Sequence, residues 1–131
     1  MIPKFRVWMK SLKWMCDVTN ISLDSKFVDI CQQGDTERYT EMSVEFDEIT
    51  LMQSTGLFDR NGKEIFEGDI LDYKGRKAIV RWHGSYASFI YRFVDELQNR
   101  NTEWKPLYLA YMKCKIIGNI YENRELLEDL T

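Results

Sequence analysis

Gln53-Ser54-Thr55-Gly56-Leu57-Phe58-Asp59-Arg60-Asn61-Gly62-Lys63-Glu64-Ile65-Phe66-Glu67-Gly68-Asp69-Ile70-Leu71-Asp72-Tyr73-Lys74-Gly75 is the stretch that decides the fold. It holds four turn signals, at Gly56, Asn61-Gly62, Gly68-Asp69 and Lys74-Gly75. Only short strands fit between them, which is the texture of a small, strongly bent antiparallel β structure. Asp59-Arg60-Asn61-Gly62 has the chemistry of a tight turn. The carboxylate can cap backbone N–H groups, and Asn-Gly tolerates a positive φ. Glu67-Gly68-Asp69 then turns the chain into the apolar run that starts at Ile70. Turn chemistry accounts for every residue of the motif except Gln53, Ser54 and Thr55. The alternative reading makes those three, with Asp59, a binding loop.

Downstream, Ile70 to Tyr73 and Arg76 to Trp82 flank Lys74-Gly75 as the arms of a hairpin, with Ala78, Val80 and Trp82 on one face. His83-Gly84 turns into a further strand, where Phe89, Tyr91 and Phe93 alternate with Ser88, Ile90 and Arg92. Asp95 to Lys105 reads as a polar loop with a helical turn. From Pro106 the period becomes helical, through Leu107, Ala110 and Tyr111, with proline in the first turn, where its missing N–H costs nothing. Lys115 to Ile120 returns to strand and ends at Gly118-Asn119. Asn123 is placed to cap a short C-terminal helix with Glu125 near its positive end and Leu126, Leu127 and Leu130 as its stripe.

Upstream, Phe5 and Val7 alternate with Lys4, Arg6 and Trp8 as a first strand, and Met9 to Lys13 connects it to a second over Trp14 to Ile21. A turn at Asp24 to Lys26 leads to Phe27 to Cys31, and Gln32 to Thr36 turns again. Met42, Val44 and Phe46 alternate with Ser43, Glu45 and Asp47, and Ile49 to Met52 forms a further strand. The sum is one mainly-β domain over residues 1–131, with one or two short helices near the C-terminus.

The run from Gln53 to Ile70 resembles the signature of the YopX family, small proteins encoded by phages and prophages. The opening Ile2-Pro3-Lys4-Phe5-Arg6-Val7-Trp8 is similar to that family's start. Ile116-Ile117-Gly118-Asn119-Ile120-Tyr121-Glu122-Asn123 with Glu125-Leu126-Leu127 is similar to its end, in the same order. The connection Met9-Lys10-Ser11 departs from the acidic turn more usual there. The resemblance implies a single YopX-like domain built on a small SH3-like antiparallel β-barrel. It implies no established biochemical activity and brings no catalytic residues.

Composition narrows the classes further. The 131 residues are 44% apolar and 30% charged, a soluble globular mixture rather than a disordered or membrane one. Eighteen Lys and Arg against 21 Asp and Glu give a net charge of −3. The basic excess of a phosphate-backbone binder is absent, so a nucleic-acid role needs a local patch. Cys16, Cys31 and Cys114 are odd in number and sit among apolar or strand-like neighbours, as buried thiols in a reducing compartment do. No secretory h-region and no apolar run of membrane-spanning length, roughly 18 residues, is present. The expectation is a cytoplasmic protein of a bacterial host cell.

Chemistry is scarce. Asp59, Asn61 and Gly62 match part of an EF-hand loop, but aligning Gly62 with its glycine puts Leu57 and Gly68 at the end ligands. One histidine and three scattered cysteines give no zinc spacing. Asp59, Glu64, Glu67 and Asp69 read as a solvated turn surface rather than a cation or acid–base site. His83, the single imidazole, lies at a turn without a nucleophile in sequence context, and no Gly-rich phosphate loop is present. No catalytic residue, metal or cofactor is therefore expected.

Two features point to binding. Lys74, Arg76, Lys77 and Arg81 form a basic hairpin near Trp82, Tyr86 and Tyr91, a composition that single-stranded nucleic acid can exploit. Strand alternation, however, puts Lys77 and Arg81 opposite Trp82. Aromatic residues are 14% of the chain, more than a small barrel readily encloses. That leaves some, such as Trp8, Trp14, Trp104 and Tyr108, for the surface and an interface. The expected function is a non-enzymatic protein-binding module acting on an unidentified protein or by self-association, with no membrane partner. The alternative is a nucleic-acid-binding barrel using Lys74, Arg76, Lys77 and Arg81, and Gln53, Ser54 and Thr55 complete the candidate binding residues.

Overall fold

Alternating apolar residues become strands, and several of the joints between them turn through left-handed backbone, at Lys13, Lys26, Gly34, Gly68, Lys74 and Gly75 among others. The computed structural model describes residues 4–97 and 104–128. Its strands are β1 (Phe5–Met9), β2 (Trp14–Ser22), β3 (Phe27–Gln32), β4 (Met42–Glu45), β5 (Ile49–Phe58), β6 (Glu64–Phe66), β7 (Asp69–Tyr73), β8 (Arg76–His83), β9 (Ser88–Phe93), β10 (Lys105–Pro106) and β11 (Cys114–Asn119). Contacts divide the chain into two units, Met1–Gln53 and Ser54–Thr131. Ile2, Pro3, Leu130 and most of the polar loop before Trp104 lie outside the described residues.

In the N-terminal unit the antiparallel order is β4-β3-β2-β1, with the first half of β5 beside β1. Val7 pairs with Cys16 on one side and Leu51 on the other. The core is Val7, Met9, Cys16, Val28, Ile30, Val44 and Ile49, residues at alternate positions along their strands. Phe46, expected to end the fourth strand, instead opens a 3-10 turn over Phe46–Glu48. A capping box fixes this turn, with the Glu45 N–H donating to Glu48 Oε2 at 2.8 Å.

That turn dictates the curvature of the sheet. β4 and β5 are its outer strands, so in a flat sheet they would stand four strand spacings apart, about 19 Å. Glu45 to Ile49 is only four Cα steps, at most about 14 Å even when extended. The sheet must therefore curl until the end of β4 approaches the start of β5. The Phe46 N–H donates to the Lys26 carbonyl at 3.1 Å, drawing the turn toward the β2–β3 hairpin.

In the C-terminal unit the stretch rich in turn signals behaves differently at its start. The second half of β5 runs through Ser54, Thr55 and Gly56 as strand, where a turn was expected at Gly56. The irregularity is absorbed as a bulge against β6, between the pairs Ser54 with Phe66 and Phe58 with Glu64. Gly56 supplies φ +74° there. The remaining turns fall as read, and Lys74 and Gly75, at φ +51° and +87°, form the two-residue β7–β8 hairpin.

The second sheet has the order β10-β9-β8-β7-β11. Ala78 and Val80 pack into one core with Ile65, Leu71, Tyr91, Phe93 and Leu107. Ile79, between them, enters a second core with Ile70 and Val94, bordered by Ile120, Leu126 and Leu127. Both faces of the hairpin are covered. The sheet is open: β10 and β11 are its outer strands and do not pair among the described residues, so the closed SH3-like barrel is not formed. The expected C-terminal helices are single 3-10 turns, Leu107–Leu109, Tyr111–Lys113 and Arg124–Leu127. Ala110, at φ −129°, ψ −17°, interrupts the first two. No helix among the described residues is long and apolar enough to cross a membrane.

Candidate functional site

The residues singled out by sequence divide into those absorbed by the scaffold and those left exposed. Asp59 belongs to the first group. It is buried, its Oδ1 accepts the N–H groups of Asn61 and Lys63 at 2.9 Å each, and its Oδ2 accepts that of Ile116 at 2.9 Å. Burial alone would raise its pKa, but the three backbone donors and the Lys63 charge outweigh burial and hold the carboxyl below the usual range. Its lone pairs are spent on the turn and on β11. Asp69 is likewise buried and accepts the Phe66 N–H at 2.8 Å, so these two carboxylates are not the solvated turn surface expected but buried acceptors of backbone N–H groups.

Ser54 and Thr55 repair the bulge. The Ser54 hydroxyl donates to the Glu64 carboxylate and accepts the Gly56 N–H. The Thr55 hydroxyl donates to the Ile65 carbonyl at 2.7 Å and accepts the Leu57 N–H. Gln53 is half-buried in β5, paired with Phe5. The three lie along a strand rather than on a loop.

The basic hairpin is partly neutralised. The Arg76 guanidinium donates to Asp95 Oδ1 at 2.7 Å and Glu96 Oε1 at 3.0 Å and lies 3.7 Å from the Phe93 ring centroid. The hydrogen bonds that Arg76 donates to Asp95 and Glu96 push its pKa up further. Lys77 Nζ donates to the Glu128 carbonyl at 3.4 Å. Lys74 sits at the hairpin tip, 5.7 Å from the Tyr73 ring. Arg81 pairs with Ile90 and Trp82 with Phe89, so the cation and the indole point to opposite faces. Trp82 packs edge-on against Phe89.

Nucleophiles are muted. Burial, with neighbouring acidic groups, pushes the Cys16 and Cys114 thiols up to about 11, leaving them protonated at neutral pH. The His83 ring stacks on Tyr86 at 4.3 Å, and its buried Nδ1 has no hydrogen-bond partner among the described residues. Also among the described residues, no group of three His, Cys, Asp or Glu could hold a metal ion.

What the sequence reading missed is an apolar pocket of about 470 Å³ in the N-terminal unit. It lies where the sheet curls. Phe5, Val28 and Ile49 come from three strands, Ile21 and Leu23 from the end of β2 and the turn after it, Phe46 from the 3-10 turn and Leu51 from β5. Leu23 is 77% exposed and Leu51 44%. The signal in the sequence was Leu23, an apolar residue inside a turn that otherwise reads Asp24-Ser25-Lys26.

A second exposed apolar group lies on the paired 3-10 turns of the C-terminal unit. Tyr108, Leu109 and Met112 are 61%, 69% and 70% exposed, while Leu107 and Ala110 are buried. Of the aromatics expected at the surface, Tyr108 is exposed and Trp8, Trp14 and Trp104 are half-buried.

The carboxy-terminal motif has a local explanation. Asn119 Oδ1 accepts the N–H groups of Tyr121 and Glu122, and Asn123 Oδ1 accepts that of Asn119 at 3.1 Å. Asn123 thus folds back onto the strand end and makes no side-chain cap for the turn that follows. A Cβ on Gly118 would lie 2.5 Å from Asn123 Oδ1, so glycine is required by space.

The family model described as YopX protein matches residues 4–128, spanning the turn motif, the amino-terminal strand and this carboxy-terminal lock. The chain belongs to the YopX family. Among solved structures, the YopX chain is similar to protein EF1440 from Enterococcus faecalis, at 30% identity and a TM-score of 0.57, with 98% of this chain and 99% of that one covered. No curated protein matches it.

Proposed function

We propose that this YopX-family chain is a phage- or prophage-encoded accessory protein that acts in the cytoplasm as a non-enzymatic protein-binding module. The observation that carries this is the apolar pocket at the curl of the N-terminal sheet, with Leu23 and Leu51 exposed at it. Small-molecule sites combine apolar walls with a few convergent polar groups that orient the ligand. The seven lining residues here are all apolar, which suits an apolar side chain presented by another protein. The family's phage provenance and the three free cysteines support the setting. An SH3-like relationship is part of the same reading, supported by the order β11-β7-β8-β9-β10 and the 3-10 turn ahead of β11.

Selecting a random peptide library on the immobilised protein tests the module. Peptides with an apolar anchor should be enriched, and the enrichment should vanish with Leu23→Asp and with Leu51→Asp. Equal enrichment on the variants, or none on the native chain, removes the pocket from the function. The nucleic-acid alternative rests on Lys74 and Arg81, the hairpin cations whose side chains make neither an ion pair nor a hydrogen bond among the described residues. It would take first place if single-stranded DNA bound at low salt and Lys74→Glu with Arg81→Glu abolished the shift.

A further inference from the structure

We propose that the pocket of the N-terminal unit receives the Tyr108–Met112 segment of a second copy of this chain, so that copies join head to tail. The inference rests on the protein-binding reading above and names the partner. Its first support is the shape of the donor. Leu107 and Ala110 are buried in the core and hold the two 3-10 turns in place. Cys114 ties back through a 3.2 Å hydrogen bond from Sγ to the Ala110 carbonyl. Tyr108, Leu109 and Met112 are therefore presented outward on an ordered segment, and little conformational freedom remains to be lost on docking.

The second support is charge. Residues 104–115 contain Lys105, Lys113 and Lys115 and no acid, so the exposed apolar trio is bracketed by cations. The pocket has the opposite surroundings. Asp24 follows Leu23, and Glu45, Asp47 and Glu48 flank Phe46, all four exposed. Lys4, beside Phe5, Lys10 and Lys26 lie in the same region, and Lys10 Nζ is engaged by the Asp47 carbonyl at 3.2 Å. Residues 1–53 carry nine Asp and Glu against six Lys and Arg, whereas residues 54–131 carry twelve of each. The chain's net negative charge thus resides in the unit that holds the pocket. An apolar anchor flanked by lysines facing an apolar pocket whose flanking charges are mostly acidic is complementary in both terms.

Size is compatible. A cavity of about 150 Å³ already admits a benzene ring, and this pocket, at about 470 Å³, has room for more than one side-chain end. Because donor and acceptor are different surfaces, the interface is heterologous, and association continues past the dimer unless a ring closes.

Analytical ultracentrifugation of the full chain over a concentration series, at low and high salt, tests this. Native protein should show a mass that rises beyond the dimer and falls back at high salt. Met112→Asp and Leu23→Asp should each weaken association at least about tenfold. Both residues are largely exposed, and unchanged thermal melts would confirm that the variants fold. Mixed together, the two variants should form a one-to-one dimer and nothing larger, because each retains one intact half. Native protein that stays monomeric throughout would overturn the proposal. So would an oligomer indifferent to both substitutions, or a mixture that stays monomeric. In the first case peptide enrichment at the pocket would still uphold the binding-module reading, which falls only if the native chain enriches no peptide or the enrichment does not depend on Leu23.

Discussion

The β7–β8 hairpin and the β2–β4 region of the N-terminal sheet are built from the same kind of antiparallel ribbon and are covered differently. In β8 three successive residues, Ala78, Ile79 and Val80, are buried, because each face of the hairpin has its own core. In β4 only alternate positions are covered, Met42 and Val44 against the exposed Ser43 and Glu45. In the far half of β2 no residue is fully buried: Thr19 and Asn20 are exposed, and Val18, Ile21 and Ser22 are half-buried. A ribbon covered on both sides is scaffold. A ribbon covered on one side leaves apolar side chains at its curled end, and there the pocket lies.

The largest effect that separates the two regions is truncation of a side chain. Leu71→Ala removes a fully buried residue from the first core, and about 2–5 kcal/mol of stability should go with it. Ile79→Ala, in the second core, should fall in the same range. Leu23→Ala, 77% exposed at the pocket, should shift stability by no more than about 0.5 kcal/mol. Urea unfolding at neutral pH measures all three. A Leu23→Ala loss comparable with that of Leu71→Ala would make the pocket part of the core and dissolve the distinction.

Legibility in the sequence follows the same division. Strands β1, β3, β7 and β8 were readable because alternation and turn residues agree, as at Lys74-Gly75 and Asp24 to Lys26. The β5 bulge was not, since Gly56 looks the same whether it ends a strand or sits inside one. What keeps the strand going is the Thr55 hydroxyl bridging Leu57 and Ile65. The C-terminal helices were overread because Leu107, Ala110 and Tyr111 satisfy helical spacing while turning only once each. Ile79 between Ala78 and Val80 signalled a hairpin buried on both sides, yet its cover comes from residues some forty positions away, at Ile120, Leu126 and Leu127. The pocket was invisible for a related reason: it depends on the curl set by a three-residue turn between outer strands, and hydrophobic periodicity carries no information about curvature. Asp59 was the opposite case, a turn residue by type and by position.

A middle-sized effect probes the lock that closes β11. Gly118→Ala drives a methyl group to within 2.5 Å of Asn123 Oδ1 and displaces that side chain from the Asn119 N–H. The cost should be about 1–3 kcal/mol, that of an unsatisfied backbone donor. Asn123→Ala removes the obstacle and the acceptor together. The double variant should therefore be little worse than Asn123→Ala alone, a coupling that a double-mutant cycle reads directly. Full additivity would mean that the two residues do not meet and that the C-terminal unit is held shut in another way.

The smallest effect compares the two units by acid. Asp59 in the C-terminal unit and Asp35 in the N-terminal one both have lowered pKa values. For Asp35 the cause is the Thr40 hydroxyl and N–H, which hold it at about 2. An unfolded aspartate titrates near 3.9. A carboxyl whose folded pKa is depressed contributes stability above that value and loses it as pH falls through the folded pKa, so both contributions should fade below about pH 4. Among the described residues the Asp35 carboxylate is held by near neighbours, Thr40 in its own loop and Cys31 at the end of β3. Asp59 joins its turn to β11 through the Ile116 N–H. Asp59→Asn and Asp35→Asn should thus each flatten the acid dependence of unfolding midpoints, by an amount set by how far each carboxyl's pKa is depressed on folding. Midpoints measured in urea between neutral pH and about pH 3 decide the matter, and equal slopes in the native chain and Asp59→Asn would show that the buried carboxylate is not what ties β11 to the turn.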